Sequence, residues 1–302
     1  MQIIQHIKHD QIDFKKWDSI VLNSKLPFVF AQSFYLNATS PKWDALIIND
    51  YESIFPLTHK SKFGINYLPQ PPFTSQLGVY GKTSAEIEQL FYNYITNKFK
   101  LIDLEWNAGN SISNEFIKSK NTFVIDYNEE YQFNQNTRRN IQKAIDLNLK
   151  VIEVEKNEIV SLSKKHLYPF LKNELSLSVK SISLFEQLLK NAQQENQLIS
   201  FQVIDEKGNC KALAHFIFND FHAFFLKGTV INKKENSGSM HLLLKYAIEF
   251  FSDKAKLFDF GGGSNSESLA GFYKGLGGKN LNYGFLQWNR LPALLNIFKR
   301  CI

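Results

Sequence analysis

One order of elements occurs twice in this chain: a strand hairpin, then an amphipathic helix, then a short strand carrying an acid among apolar residues. The first copy reads as 43–58, 84–98 and 101–105, the second as 198–227, 240–251 and 257–260. Both end on one apolar-apolar-Asp-apolar pattern, Leu101-Ile102-Asp103-Leu104 and Leu257-Phe258-Asp259-Phe260. Four residues at equivalent places after a helix mark a duplication. A chain of 302 residues exceeds the usual single-domain length, so two domains are expected, 1–122 and 123–302. Strands mixed with crossover helices place the chain in the α/β (α+β) class, with two mixed sheets flanked by helices.

Local patterns fill in the elements. Trp43 to Ile48 and Ser53 to Thr58 are apolar runs joined through Asn49-Asp50-Tyr51, a hairpin signal. Pro69, Pro71 and Pro72 mark a loop. Ile87, Leu90, Phe91, Tyr94 and Ile95 recur at helical spacing. The first third thus reads as strands, one helix and loops. A polar passage, Asn107 to Asn121, and a strand at Phe123 to Ile125 lead into a basic helix near Asn136–Asn148, with Asn136 or Thr137 as N-cap. A strand at Val151–Val154 and helices around Glu158–Asn173 and Ile182–Gln194 follow. The clearest segment is a three-strand meander, 198–205, 211–218 and 221–227, leading into the helix Met240–Phe251. The strand Leu257–Phe260, a glycine run, a short helix Leu269–Leu276 and a last strand Leu281–Trp288 close the second domain.

Composition excludes several classes. Only Cys210 and Cys301 occur, so there is no disulfide framework, and a reducing, cytoplasmic setting is expected. The N-terminus lacks the apolar run of a signal peptide, and no stretch has the length of a membrane-spanning helix. A surplus of +6 is modest, but from Ser268 to Ile302 five basic residues (Lys274, Lys279, Arg290, Lys299, Arg300) meet no acid. A local positive field of that kind suits an anionic substrate. The seven His show no His-Glu-x-x-His and no Cys/His zinc spacing, so no metal is expected. His215 reads as a satisfied sheet residue, and no Gly-x-Ser-x-Gly elbow occurs. The tail 291–302 reads as docking back on its domain.

The candidate chemistry gathers in the second half. Asn236-Ser237-Gly238-Ser239 opens a helix, whose first N–H groups attract phosphate or are simply capped. Gly261-Gly262-Gly263 follows a strand, as a wall that lets a ligand approach the backbone or as a turn. It is neither a P-loop nor a dinucleotide fingerprint. The most specific stretch is Phe258-Asp259-Phe260-Gly261-Gly262-Gly263 followed by Gly271-Phe272-Tyr273-Lys274-Gly275-Leu276-Gly277-Gly278.

These residues resemble the FemABX-type family of tandem acetyltransferase-fold (GNAT-like) enzymes, with its apolar-Asp-apolar strand end and "F-K-x-G-F-G-G" stretch. Thr137-Arg138-Arg139-Asn140-Ile141-Gln142-Lys143-Ala144 is similar to the family's basic "R-x-x-I-K-K-A" helix. Phe30-Ala31-Gln32-Ser33-Phe34-Tyr35 and Ile54-Phe55-Pro56-Leu57 are similar to its early segments. The resemblance implies two GNAT folds with the chemistry in the cleft between them. It implies transfer of an aminoacyl group from aminoacyl-tRNA to a cell-wall precursor, or of an acyl group from acyl-CoA to a small-molecule amine, without metal. Lys274 falls at the family's phosphate-binding lysine, and Glu105 at an acid that lines the cleft, followed by Trp106 where the family often has Pro. The coiled-coil insertion of some members is absent, so tRNA has no dedicated arm here.

Amine attack on an activated carbonyl needs orientation, proton removal and oxyanion stabilisation. Asp259 or Glu105 takes the proton, or each is a carboxylate satisfied by backbone donors at a strand end. Tyr273 donates to an oxyanion or is packed. Arg138, Arg139, Lys143, Lys227 and Lys274 hold phosphates or form a solvated basic face. The competing reading is a non-catalytic ligand- or partner-binding module on a degenerate GNAT fold, and a third is an RNA-binding protein with strongly salt-dependent binding.

Overall fold

The computed structural model describes residues 3–112, 114–262 and 266–292. In chain order the strands and helices of the first part are β1 (Ile4–Ile7), α1 (Phe14–Leu22), α2 (Ser33–Thr39), β2 (Asp44–Ile48), β3 (Ser53–Leu57), β4 (Lys60–Lys62), β5 (Ile65–Pro69), β6 (Tyr80–Gly81), α3 (Ala85–Lys98) and β7 (Leu101–Glu105). Then come β8 (Ile117–Asp126), α4 (Gln135–Asp146), β9 (Lys150–Glu153), α5 (Ile159–Leu162), a π-helical turn (Ser163–Leu167), α6 (Tyr168–Asn173) and α7 (Val179–Gln194). The last are β10 (Leu198–Ile204), β11 (Cys210–Phe218), β12 (His222–Val230), α8 (Ser239–Phe251), β13 (Leu257–Asp259), α9 (Glu267–Gly275) and β14 (Lys279–Asn289).

The chain forms two compact units, residues 1–120 with 282–302, and residues 121–281. The sequence reading gave the second domain everything from 123 onward. The structure instead returns the chain to the first unit within β14, because Phe285–Asn289 pair antiparallel with Leu101–Glu105 of β7. Alternation within a strand reveals its faces but not its partner.

In the first unit β1-β2-β3-β6 form an antiparallel sheet. The β2–β3 hairpin expected from the sequence is present, with Ile48 opposite Ser53. Asn49 and Tyr51 take positive φ in its turn, and the Asn49 amide donates to Glu52 at 2.6 Å. β5 and β7 run parallel. α3 confirms the predicted helix, capped by Ser84 and burying Ile87, Phe91 and Ile95. Two further helices were not anticipated. α2 buries Phe34, Tyr35, Leu36, Ala38 and Thr39 on every side, so it carries no polar stripe to give a helical period. α1 turns Trp17 inward, its indole N–H donating to the Ala31 carbonyl at 2.7 Å. Leu291 packs against Tyr67 and Leu101; the rest of the tail, 293–302, lies outside the described residues.

In the second unit β8-β13-β12-β11-β10-β9 are neighbours, antiparallel except for the parallel pair β12–β13. The meander is as the alternation predicts. Its inner face packs on α4 and α8 through an aromatic core, with Phe216 5.7 Å from Phe251 and 6.0 Å from Phe258. The abundance of Phe is spent here, each ring removing a large apolar area from water. On the other face His215 is fully buried, bonded through its two nitrogens to Ser163 and Ser200 at 2.8 and 2.7 Å. Burial pushes its pKa down to about 3, so it is the satisfied neutral sheet residue expected. The N-cap of α4 is Asn134, whose side chain accepts from the Thr137 N–H at 2.8 Å, rather than Asn136 or Thr137.

Candidate active site

The parallel pairing of β12 and β13 covers only His222–Phe224 with Leu257–Asp259. At its end Asp259 is fully buried. Its Oδ1 accepts from the Thr122 hydroxyl and from the Gly261 N–H, each at 2.8 Å, and its Oδ2 lies 3.3 Å from His222 Nε2. Thr122 Oγ1 in turn accepts the Gly262 N–H at 3.2 Å. With one backbone donor and two side-chain partners, this acid clamps the turn after β13 and offers no surface to a substrate.

Gly261 has φ +74°, and a Cβ there would sit 2.6 Å from the Phe224 ring and 3.0 Å from the Phe225 carbonyl. Only glycine allows the chain to leave β13 this close to β12. Gly262, at φ +136°, meets no atom of the described residues within 4 Å where a Cβ would be. Gly263 lies outside the described residues.

α9 starts on Ser266, which accepts from the Leu269 N–H. Tyr273 points into the core, stacked on Phe260 with centroids 4.7 Å apart. Burial first, then the charge of Asp259, pushes its hydroxyl pKa up, so it remains a donor. Lys274 is exposed, its Nζ 5.8 Å from the Phe123 ring centroid. The glycines after it stop the helix: Gly278 N–H bonds the Tyr273 carbonyl, Gly277 N–H the Lys274 carbonyl, and Gly277 is left-handed at φ +85°. This is a Schellman arrangement, so part of the glycine-rich signature is capping.

α4 and α9 are packed together. Asn134 N–H donates to the Gly275 carbonyl at 2.9 Å, and a Cβ on Gly275 would lie 2.9 Å from Thr137 Oγ1. Arg138, Arg139 and Lys143 are exposed on α4, and like Lys274 they have no acid partner among the described residues. α8 begins at Gly238, at φ +74°, where a Cβ would fall 2.0 Å from the Asn140 carbonyl. That glycine therefore permits a close helix approach, while the buried Ser239 hydroxyl beside it has no partner among the described residues. Lys227 does not join this group. It pairs with His215 next to a bulge in β12, on the opposite face from the aromatic core. There burial pushes its ammonium pKa down.

Glu105 belongs to the first unit. Its carboxylate accepts from Lys120 Nζ at 2.8 Å and from the Tyr283 hydroxyl at 3.2 Å. Lys120 also sits 3.5 Å from the Phe285 ring centroid. Burial raises the carboxyl pKa, and Lys120 offsets part of that. Sequence reasoning missed Thr122, His222 and Lys120, whose partners are remote in the chain.

No protein-family model matches this sequence, and no curated protein matches it. Solved structures do match by shape. FemX is 11% identical, with a TM-score of 0.68 over 98% of this chain and 100% of that one. L-PGS from Bacillus licheniformis is 8% identical, with a TM-score of 0.57 over 94% of each chain. A tandem GNAT protein from the clavulanic acid biosynthesis pathway is 8% identical, with a TM-score of 0.52 over 96% of this chain and all of that one. At such identities the likeness is one of fold, and the resemblance read from the motifs is borne out at that level: the chain has the tandem GNAT architecture shared by FemX and its structural relatives.

Proposed function

We propose that the protein is a cytoplasmic N-acyltransferase that moves an acyl or aminoacyl group from an acyl-CoA or aminoacyl-tRNA donor to an amine acceptor. The observation that carries this reading is the set of unopposed cations, Lys274 with Arg138, Arg139 and Lys143, on two helices braced against each other at Gly275 and Thr137. Such a surface holds a phosphate-bearing reactant. The names of the similar structures, FemX and a tandem GNAT protein, support transfer chemistry.

In this reading Gly261 and Gly262 let the reactant approach the backbone, while Tyr273, packed on Phe260, supports the turn from the core. Glu105, in the first unit, is the proposed proton acceptor, its raised pKa suiting it to that task. Asp259 is a positioning residue that holds the Gly261–Gly262 turn. Orienting two reactants supplies on the order of 7–11 kcal/mol of the acceleration.

The test is incubation of the protein with acyl-CoA thioesters, aminoacyl-tRNA and a panel of amines, with product sought by mass spectrometry. Lys274→Ala is expected to weaken a phosphate-bearing donor about tenfold, the scale of one charge-assisted hydrogen bond, with the fold intact. An unaltered affinity removes Lys274 from the site. A specific observation favours a second reading, a binding module without turnover: Asp259 is sealed and Glu105 is engaged by Lys120. Tight binding of a donor with no transfer to any amine selects that reading.

A further inference from the structure

Outside these residues the second unit contains a recess of about 460 Å³ between the π turn and the chain that leaves β12. Its size is that of a small-molecule site. One wall carries Lys165 and His166, the other Lys233 and Lys234, and Phe170 lies between them. Among the described residues the only carboxylate on its walls, Glu174, is bonded to Lys233. Three lysines thus face one acid that is already engaged, and Lys165 and Lys234 have no acid partner among the described residues.

The local backbone explains how these groups come together. Tyr168 N–H bonds the Ser163 carbonyl, the i→i+5 pattern of a π turn. Such turns occur as single wide turns inside helices, frequently at functional sites. This one is anchored from below, because Ser163 Oγ bonds both the Ile159 carbonyl and His215. His166 is held neutral by burial and by Lys165, so it brings one ring N–H without adding charge. Behind the other wall Lys227, not itself a lining residue, stands two residues before the lining residue Thr229 on the same face of β12 and has no acid partner among the described residues. Phe170, with Lys233 Nζ 5.2 Å from its ring centroid, gives the recess an apolar floor.

We infer that this recess binds a small organic anion, a phosphate or carboxylate group on an aromatic or apolar body, with the charge held by Lys165 and Lys234 and the body against Phe170. The site is separate from the Lys274 surface and goes beyond the transferase reading.

Titration calorimetry of the intact chain with phenyl phosphate, benzoate, inorganic phosphate and phenol tests it. Phenyl phosphate or benzoate should bind saturably, inorganic phosphate more weakly and phenol not at all, with affinity falling as salt rises. Lys165→Ala and Lys234→Ala should each weaken the aromatic anion about tenfold, while Lys207→Ala, at an exposed turn outside the recess, leaves it unchanged. Both lysines are exposed, so these variants keep the fold. Absence of saturable binding by either aromatic anion overturns the inference. So does wild-type affinity in both recess-lysine variants, or loss of binding in Lys207→Ala alone.

Discussion

The Thr122 hydroxyl donates a 2.8 Å hydrogen bond to Asp259 across 137 residues of sequence, and both groups are fully buried. The same Thr122 oxygen accepts the Gly262 N–H and the same Asp259 oxygen the Gly261 N–H. Two side chains therefore hold a glycine turn that has no ladder of its own. Asp259→Ala strips the acceptor from the buried Thr122 hydroxyl and the half-buried Gly261 N–H, at about 1–3 kcal/mol for each orphaned group. Thr122→Val, nearly isosteric, should cost about 1–3 kcal/mol. Urea unfolding of both variants measures this. An Asp259→Ala protein with wild-type stability and no transferase activity would make Asp259 a catalytic acid instead.

Gly261 and Gly262 both take positive φ, but only Gly261 lacks room for a side chain. Gly261→Ala must meet the backbone cost of about 1–2 kcal/mol and also displace the Phe224 ring, at about 1–3 kcal/mol more. Gly262→Ala bears the backbone cost alone. Thermal unfolding should rank Gly261→Ala below Gly262→Ala. The reverse order would show that the Phe224 ring yields freely.

What the sequence made legible follows from how far each signal reaches along the chain. The meander, α3 and α8 announce themselves because their periods lie within a dozen residues. The aromatic stacking of Tyr273 on Phe260 agrees with the packed alternative for that residue. α2 was hidden because its burial on every side removes the stripe that marks a helix. β1 is four residues long, and its pairing of Ile4 with Ile48 is a long-range fact. The glycine-rich stretch was visible, but Gly277 as a helix stop and Gly261 as a close approach require φ and neighbours to tell apart. Of the candidate site, Asp259 stands within a visible motif. Its partners Thr122 and His222 carry no local signal.

Asp44 staples the N-terminal strand in the first unit. Burial opposes its ionisation, but hydrogen bonds from Lys8, His6, His59 and the His9 N–H prevail and hold it well below the usual carboxylate range. An acid depressed in this way stabilises the fold fully above its unfolded pKa of about 4 and loses that contribution as pH falls further. His6 acts earlier. Burial, aided by Lys98, lowers its pKa, so the folded state binds fewer protons and stability declines as pH drops below about 6.5. Urea midpoints should therefore fall in two stages on acidification. Asp44→Asn should lower the midpoint at pH 7 and flatten the stage below about pH 4. A midpoint independent of pH between 7 and 3 would show that the staple contributes nothing.

Glu105 offers a test of the proposed base that the structural alternative does not share. Its carboxyl is raised by burial and partly restored by Lys120 at 2.8 Å and the Tyr283 hydroxyl at 3.2 Å. If its carboxylate takes the proton of the attacking amine, kcat/KM rises with pH through this raised pKa. Lys120→Met removes the nearby cation, disfavours the charged form and must move that ascending limb to higher pH. Tyr283→Phe removes a weaker, neutral donor and moves it less, in the same direction. Glu105→Gln removes the limb together with most of the activity, by 10²–10⁴-fold for a general base on the order seen for such groups. A profile identical in the wild type and Lys120→Met, with Glu105→Gln still active, would leave Glu105 as the structural partner of Lys120.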